Sequence, residues 1–187
     1  MTDTMPAETE SHWSGPPVLE SQMVRLEPFT ETHLTERTVA WLNDPKVLRY
    51  SENRHRPQSH ENCRAYLRST CDGGHCYWAI HYKARHVGNV TAYIDRNNQT
   101  ADLAILVGDK SVWGLGVGRE SWRLALDWLL DGGGMRKVTA GTMATNGPML
   151  KTMMATGMIE EGRRTSQFIW EDQEVDLVLV AKFRRAG

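Results

Sequence analysis

Gly114, Gly116 and Gly118 stand at alternate positions in Trp113-Gly114-Leu115-Gly116-Val117-Gly118, directly ahead of a stretch with helical apolar spacing. The first turn of a helix leaves four backbone amides without partners, and the aligned peptide dipoles place partial positive charge at the same end. Glycines there let the backbone approach an anion with no Cβ in the way, so the expected ligand is a phosphate or pyrophosphate. Two other phosphate loops are excluded by spacing. A dinucleotide fingerprint needs a third glycine three residues after a Gly-x-Gly pair, and the two possible positions hold Arg119 and Ser121. A Walker loop needs Gly-Lys followed by Ser or Thr, and no such run is present. A turn that needs only a flexible backbone is the other use of such glycines.

Further chemistry-bearing residues lie on both sides of the loop. Asp102, on the strand-like run before it, is either a proton acceptor or a solvated, salt-bridged strand residue; Asp109 more simply shapes the turn into the loop. Asn146 either hydrogen-bonds a ligand or orders water, or it caps the next helix. Arg119 is placed to add charge to the phosphate site or to lie solvated on its helix. Tyr50, Glu52 and Arg54, with Arg56, alternate aromatic, acid and base, which suits an amine bearing polar groups and equally a charged surface loop. Cys63, Cys71 and Cys76 are odd in number and, with His60, His75 and His81, match no zinc spacing, so neither a disulfide framework nor a metal is expected. Cys63 and Cys71 instead fall on the apolar stripe of one helix. Trp41, Trp113, Trp122 and Trp128 read as packing, and Met149, Met153 and Met154 as core or as the wall of an acyl pocket.

These groups must be positioned by a small set of elements. Residues 1–20, rich in Thr, Glu, Ser and Pro, read as a flexible arm, and 21–187 as one domain. A strand over Met23–Glu27 leads to a helix over Thr30–Leu42 and a second over Ser59–Thr70. Three strands follow at Tyr77–Tyr82, Val87–Ile94 and Ala101–Val107, the last with Ala101, Leu103, Ile105 and Val107 on one face and Asp102, Ala104 and Leu106 on the other. Trp122, Ala125, Leu126, Leu129 and Leu130 then mark a strong helix, ended by Gly132-Gly133-Gly134. A strand at Lys137–Thr142, a short helix at Pro148–Thr156 and strands at Met158–Arg164 and Val175–Lys182 complete the order. The fold class is α+β, a mixed, mostly antiparallel sheet flanked by about four helices.

From Val24 to the C-terminus the chain resembles the ribosomal-protein and amino-sugar branch of the GNAT acetyltransferases. The resemblance rests on "VRLEPFTETHL", "WLNDPKVLRY", "HVGNV", "ADLAILVGDKSVWGLGVGRES" and "TMATNGPMLKTMMATGMIEEG" taken in order. It implies an acetyl-CoA co-substrate held along Leu106, Val107 and the loop Trp113, Gly114, Leu115, Gly116, Val117, Gly118 and Arg119, with Asn146 on the pantetheine. It also implies Asp102 at the place where many relatives carry a glutamate base, and an acceptor site around Tyr50, Glu52 and Arg54. Met149, Met158 and Met153 stand where the family commonly has Ser, Phe and the Tyr that protonates the leaving thiolate. Methionine has no exchangeable proton, so water or another residue must serve.

With 187 residues, 40% of them hydrophobic, the chain can bury one sizeable core. A net charge of -1 offers no broad basic field for nucleic acid or an anionic membrane, and no apolar run approaches a membrane span. The expectation is a cytoplasmic monomer or homodimer that acetylates a small-molecule primary amine such as an amino sugar. Protein N-terminal acetylation and non-catalytic acyl-CoA binding are the alternatives.

Overall fold

The computed structural model describes residues 15–185. Eight strands form one sheet in the order β1-β2-β3-β4-β5-β6-β8-β7. Their ranges are β1 Leu19–Glu20, β2 Val24–Pro28, β3 Cys76–Tyr82, β4 Arg85–Asp95, β5 Thr100–Val107, β6 Lys137–Met143, β7 Ile159–Trp170 and β8 Gln173–Phe183. Four α-helices accompany them: α1 Glu36–Trp41, α2 His60–Asp72, α3 Val117–Asp131 and α4 Gly147–Ala155. Every neighbouring pair of strands is antiparallel except β5 and β6. The single parallel pair follows from α3, which carries the chain from the end of β5 back to the start of β6 as a crossover must.

Strand alternation sends two sets of side chains to opposite faces. Leu26, Trp78, Ile80, Val90, Leu103, Val138 and Val180 are buried in one core with Trp122, Ala125, Leu126, Leu129 and Leu130 of α3 and Met153 of α4. The apolar stripe expected for α3 is therefore its buried face. On the other face Phe29, Leu67 of α2, Tyr77 and Ala79 form a smaller cluster.

Four expectations are corrected. The helix expected over Thr30–Leu42 is two pieces, a 3-10 turn at Glu31–His33 and α1, because Thr35 makes a second N-cap by accepting from the Thr38 amide. Residues 15–20 of the expected arm reach the sheet: Leu19 and Glu20 pair with Leu26 and Arg25, and Trp78 Nε1 donates to the Pro17 carbonyl at 2.8 Å. The rest of that arm, with His12 and Trp13, lies outside the described residues. Strand β7 runs to Trp170 and turns into β8 through Glu171 and Asp172, both at positive φ, in the manner of a two-residue hairpin loop. Cys63 is buried on α2 as expected, but Cys71 is exposed.

Candidate functional site

The sheet opens between β5 and β6. They pair only through Thr100–Asp102 and Lys137–Thr139, although β5 continues to Val107 and β6 to Met143. Each stays paired along its other edge, β5 to β4 and β6 to β8, so the unpaired halves diverge and leave a gap with Asp102 and Thr139 at its vertex. Leu106 and Val107 lie on the β5 side of this gap, half-buried.

At its mouth, Gly114 and Gly116 adopt left-handed conformations, with φ of 77° and 87°, and Gly116 is the N-cap of α3. A side chain would strain both positions. Among the described residues, the backbone amides of Gly116, Val117, Gly118 and Arg119 have no backbone acceptor, while the Glu120 amide begins the helical ladder on the Gly116 carbonyl at 3.0 Å. A row of free donors therefore converges at the positive end of a fifteen-residue helix. A Cβ on Gly118 would meet Val107 Cγ2 at 3.3 Å, so glycine there also lets the helix close on the strand. Trp113 and Leu115 are exposed beside this loop, and Trp113 Nε1 donates to the Val107 carbonyl at 2.8 Å. The loop is held from behind by Gly108, whose missing Cβ is replaced by the Trp41 ring; an added Cβ would lie 2.1 Å from Trp41 Cδ2. Asp109 accepts from the Ser111 amide and hydroxyl at 3.0 and 2.6 Å, which makes it the turn residue expected.

Asp102 Oδ2 accepts from Thr139 Oγ1 at 2.8 Å across the vertex. Partial desolvation raises its pKa, against the lowering effect of that hydroxyl. Its partner on β4 is Tyr93, whose hydroxyl lies 2.7 Å from Tyr66 Oη of α2; Tyr66 in turn donates to Thr91 Oγ1 at 3.2 Å. Burial and the Tyr66 hydroxyl raise the Tyr93 pKa, so it is a neutral phenol. This hydroxyl group of Tyr66, Thr91, Tyr93 and Thr139 was missed in the sequence, although alternation across the β4–β5 hairpin brings Tyr93 opposite Asp102. Asn146 caps α4: Oδ1 accepts from the Met149 amide at 3.3 Å and Nδ2 donates to Thr142 Oγ1 at 3.0 Å. Its capping role, left open in the sequence, is thus the one its contacts make. Of the methionines, Met153 is buried core and Met154 is exposed.

The segment after α1 docks on the β7–β8 hairpin. Tyr50 stacks on Trp170 with centroids 5.4 Å apart, and Arg49 lies over both rings. Arg54 donates to the Ile169 carbonyl at 3.1 Å and pairs with Glu52 at 2.7 Å; Trp170 Nε1 donates to the Arg49 carbonyl at 2.9 Å. The two segments flank an open cleft of about 590 Å³, to which Arg49, Asn53, Arg54, His55, Arg56 and Trp170 contribute. Of the three residues expected here, Arg54 lines the cleft, while Tyr50 and Glu52 brace its wall.

The GNAT acetyltransferase domain model matches residues 24–159. The chain belongs to the GNAT acetyltransferase family. Three similar solved structures share the fold. One is spermidine N-acetyltransferase from Vibrio cholerae in complex with CoA and spermine, 15% identical, with a TM-score of 0.78 over 88% of this chain and 97% of that one. Another is a ribosomal alpha-N-protein acetyltransferase in complex with coenzyme A, 15% identical, with a TM-score of 0.78 over 89% and 97%. The third is ribosomal-protein-alanine N-acetyltransferase from Brucella melitensis, 18% identical, with a TM-score of 0.72 over 84% and 98%. A search of curated proteins found no match. As a GNAT domain the chain is an acetyltransferase, and among its described residues no helix is long and apolar enough to cross a membrane.

Proposed function

We propose that this protein transfers the acetyl group of acetyl-CoA to the primary amine of a small molecule. The observation that carries the reading is the row of free amides from Gly116 to Arg119 at the mouth of the β5–β6 gap, with a carboxylate at the gap's vertex. The residues fit the co-substrate. The amides and Arg119 would hold its pyrophosphate, and the facing edges beside Leu106 and Val107 would take the pantetheine arm. When bound, acetyl-CoA supplies the thioester.

Asp102 then acts on the amine. A primary amine is protonated near neutral pH and must lose a proton before it is a nucleophile; a carboxylate of raised basicity accepts that proton directly or through one water. Thr139 fixes the orientation of the carboxylate. Tyr93 and Tyr66 offer phenol protons on the same face, where Met153 cannot serve. Asn146 supports the end of the gap by holding the start of α4. The acceptor would approach from the open cleft beside Arg54, where Arg49, His55 and Arg56 add donors that suit a compact amine bearing acidic or hydroxyl groups, such as an amino sugar.

A thiol-release assay with acetyl-CoA, run over amino sugars, polyamines, amino acids and N-terminal peptides, tests the reading. Turnover concentrated in amino sugars or another small amine is expected. Turnover confined to N-terminal peptides would replace the small-molecule acceptor, and binding of acetyl-CoA without turnover of any amine would leave a binding module.

A further inference from the structure

A cluster away from the gap has the geometry of a metal site. Glu27 of β2, His33 of the 3-10 turn and His81 of β3 bring one ligand atom each to a common point. Glu27 Oε1 lies 3.1 Å from His33 Nε2 and 3.1 Å from His81 Nε2, and the two Nε2 atoms are 3.4 Å apart. A tetrahedral zinc with bonds of about 2.0–2.1 Å separates its ligands by about 3.4 Å, so this triangle is nearly one face of such a polyhedron. We propose that Glu27, His33 and His81 bind one divalent transition-metal ion, with zinc the best match for two imidazoles and a carboxylate.

The surroundings are those of a ligand set. The side chains are 31%, 10% and 19% exposed, which shields the site and leaves the fourth position open to solvent. Glu27 Oε2 faces Arg25 Nε at 3.4 Å, leaving Oε1 for the shared point. His86 packs within 5.2 Å of the His33 ring but spends its Nε2 on the Gly88 carbonyl at 2.9 Å, so it borders the site without joining it. In the metal-free cluster His33 Nδ1 accepts from the Thr30 amide at 3.0 Å, which puts the ring proton on Nε2, aimed at Glu27. A metal displaces that proton. The ring then carries its hydrogen on Nδ1, where Thr30 Oγ1 already stands 3.1 Å away as acceptor, and the Thr30 amide turns to water. The exchange gives up one capping bond, so binding is weaker than that of a zinc finger. The ion would pin the turn before α1 to β2 and β3. That is the same α1 whose Trp41 seats against Gly108 behind the glycine loop.

The test uses tag-free, chelator-stripped protein titrated with Zn²⁺ by calorimetry and with Co²⁺ by absorption. One equivalent and a tetrahedral cobalt spectrum without thiolate charge-transfer bands are expected. Glu27→Gln and His81→Ala, each checked for fold by circular dichroism, should weaken binding by at least about tenfold, the lower end of what even an outer-shell partner costs. His60→Ala, which removes a surface histidine paired with Glu36, should leave it unchanged. No saturable binding by the wild type would overturn the site. So would undiminished binding by both variants, or thiolate bands that move the metal to a cysteine.

Discussion

Asp102 draws its basicity from its position at the narrow end of the β5–β6 gap, where partial loss of water raises its pKa and the Thr139 hydroxyl limits the rise. If it takes the amine proton, Asp102→Asn should lower turnover by about 10²- to 10⁴-fold near neutral pH, partly recovered at alkaline pH as free amine accumulates, with acetyl-CoA affinity little changed. Near-wild-type turnover across that pH range would make Asp102 structural. The same shift carries a stability prediction of definite sign. A carboxylate whose pKa is raised on folding adds stability below its unfolded value, and that contribution is lost as pH rises through the folded value. At neutral pH the Asn variant should therefore melt no lower than the wild type, with the two curves meeting toward acid. Asp102 itself was legible from strand alternation. Its companions were not, because Tyr66 comes from a distant helix and Thr139 from a strand beyond the crossover.

At the scale of elements, the glycine loop stands on a close contact between Gly108 and Trp41. Gly108→Ala would drive a Cβ into the indole, and chemical denaturation should show a loss of about 1–3 kcal/mol, as overpacking usually does. An unchanged midpoint would mean that α1 is free to shift. Helix α2 makes a second prediction. Cys71 is exposed, whereas burial pushes the Cys76 thiol up to about 12, so native labelling should modify Cys71 first and Cys76 only on unfolding. The apolar period of α3 was plain in the sequence because all five of its marker residues are buried. The outer half of β7 was not, since Thr165 to Gln167 are exposed and carry no apolar alternation. Nor was the break before α1: two threonines, Thr30 and Thr35, both read as caps, and only the fold decides that each caps its own turn.

For the whole molecule, the order of strands and helices was legible because each element follows its own period, whereas the gap was not. It arises from where β5 and β6 cease to pair, a long-range feature that neither strand's pattern records. In the proposed reading that gap, with the free amides at its mouth, would be the place for a long, phosphorylated co-substrate. The most direct test is acetyl-CoA binding, measured by thermal shift and calorimetry on the wild type and on Gly116→Asp. Any side chain strains the φ of 87° at Gly116, but aspartate visits positive φ more readily than most residues, and it sets a negative charge against the amides. At a hundred times its dissociation constant, acetyl-CoA should stabilise the wild type by about 2.7 kcal/mol and leave the folded variant unmoved. A wild type that ignores acetyl-CoA, or a folded Gly116→Asp protein that binds it as tightly, would contradict the account.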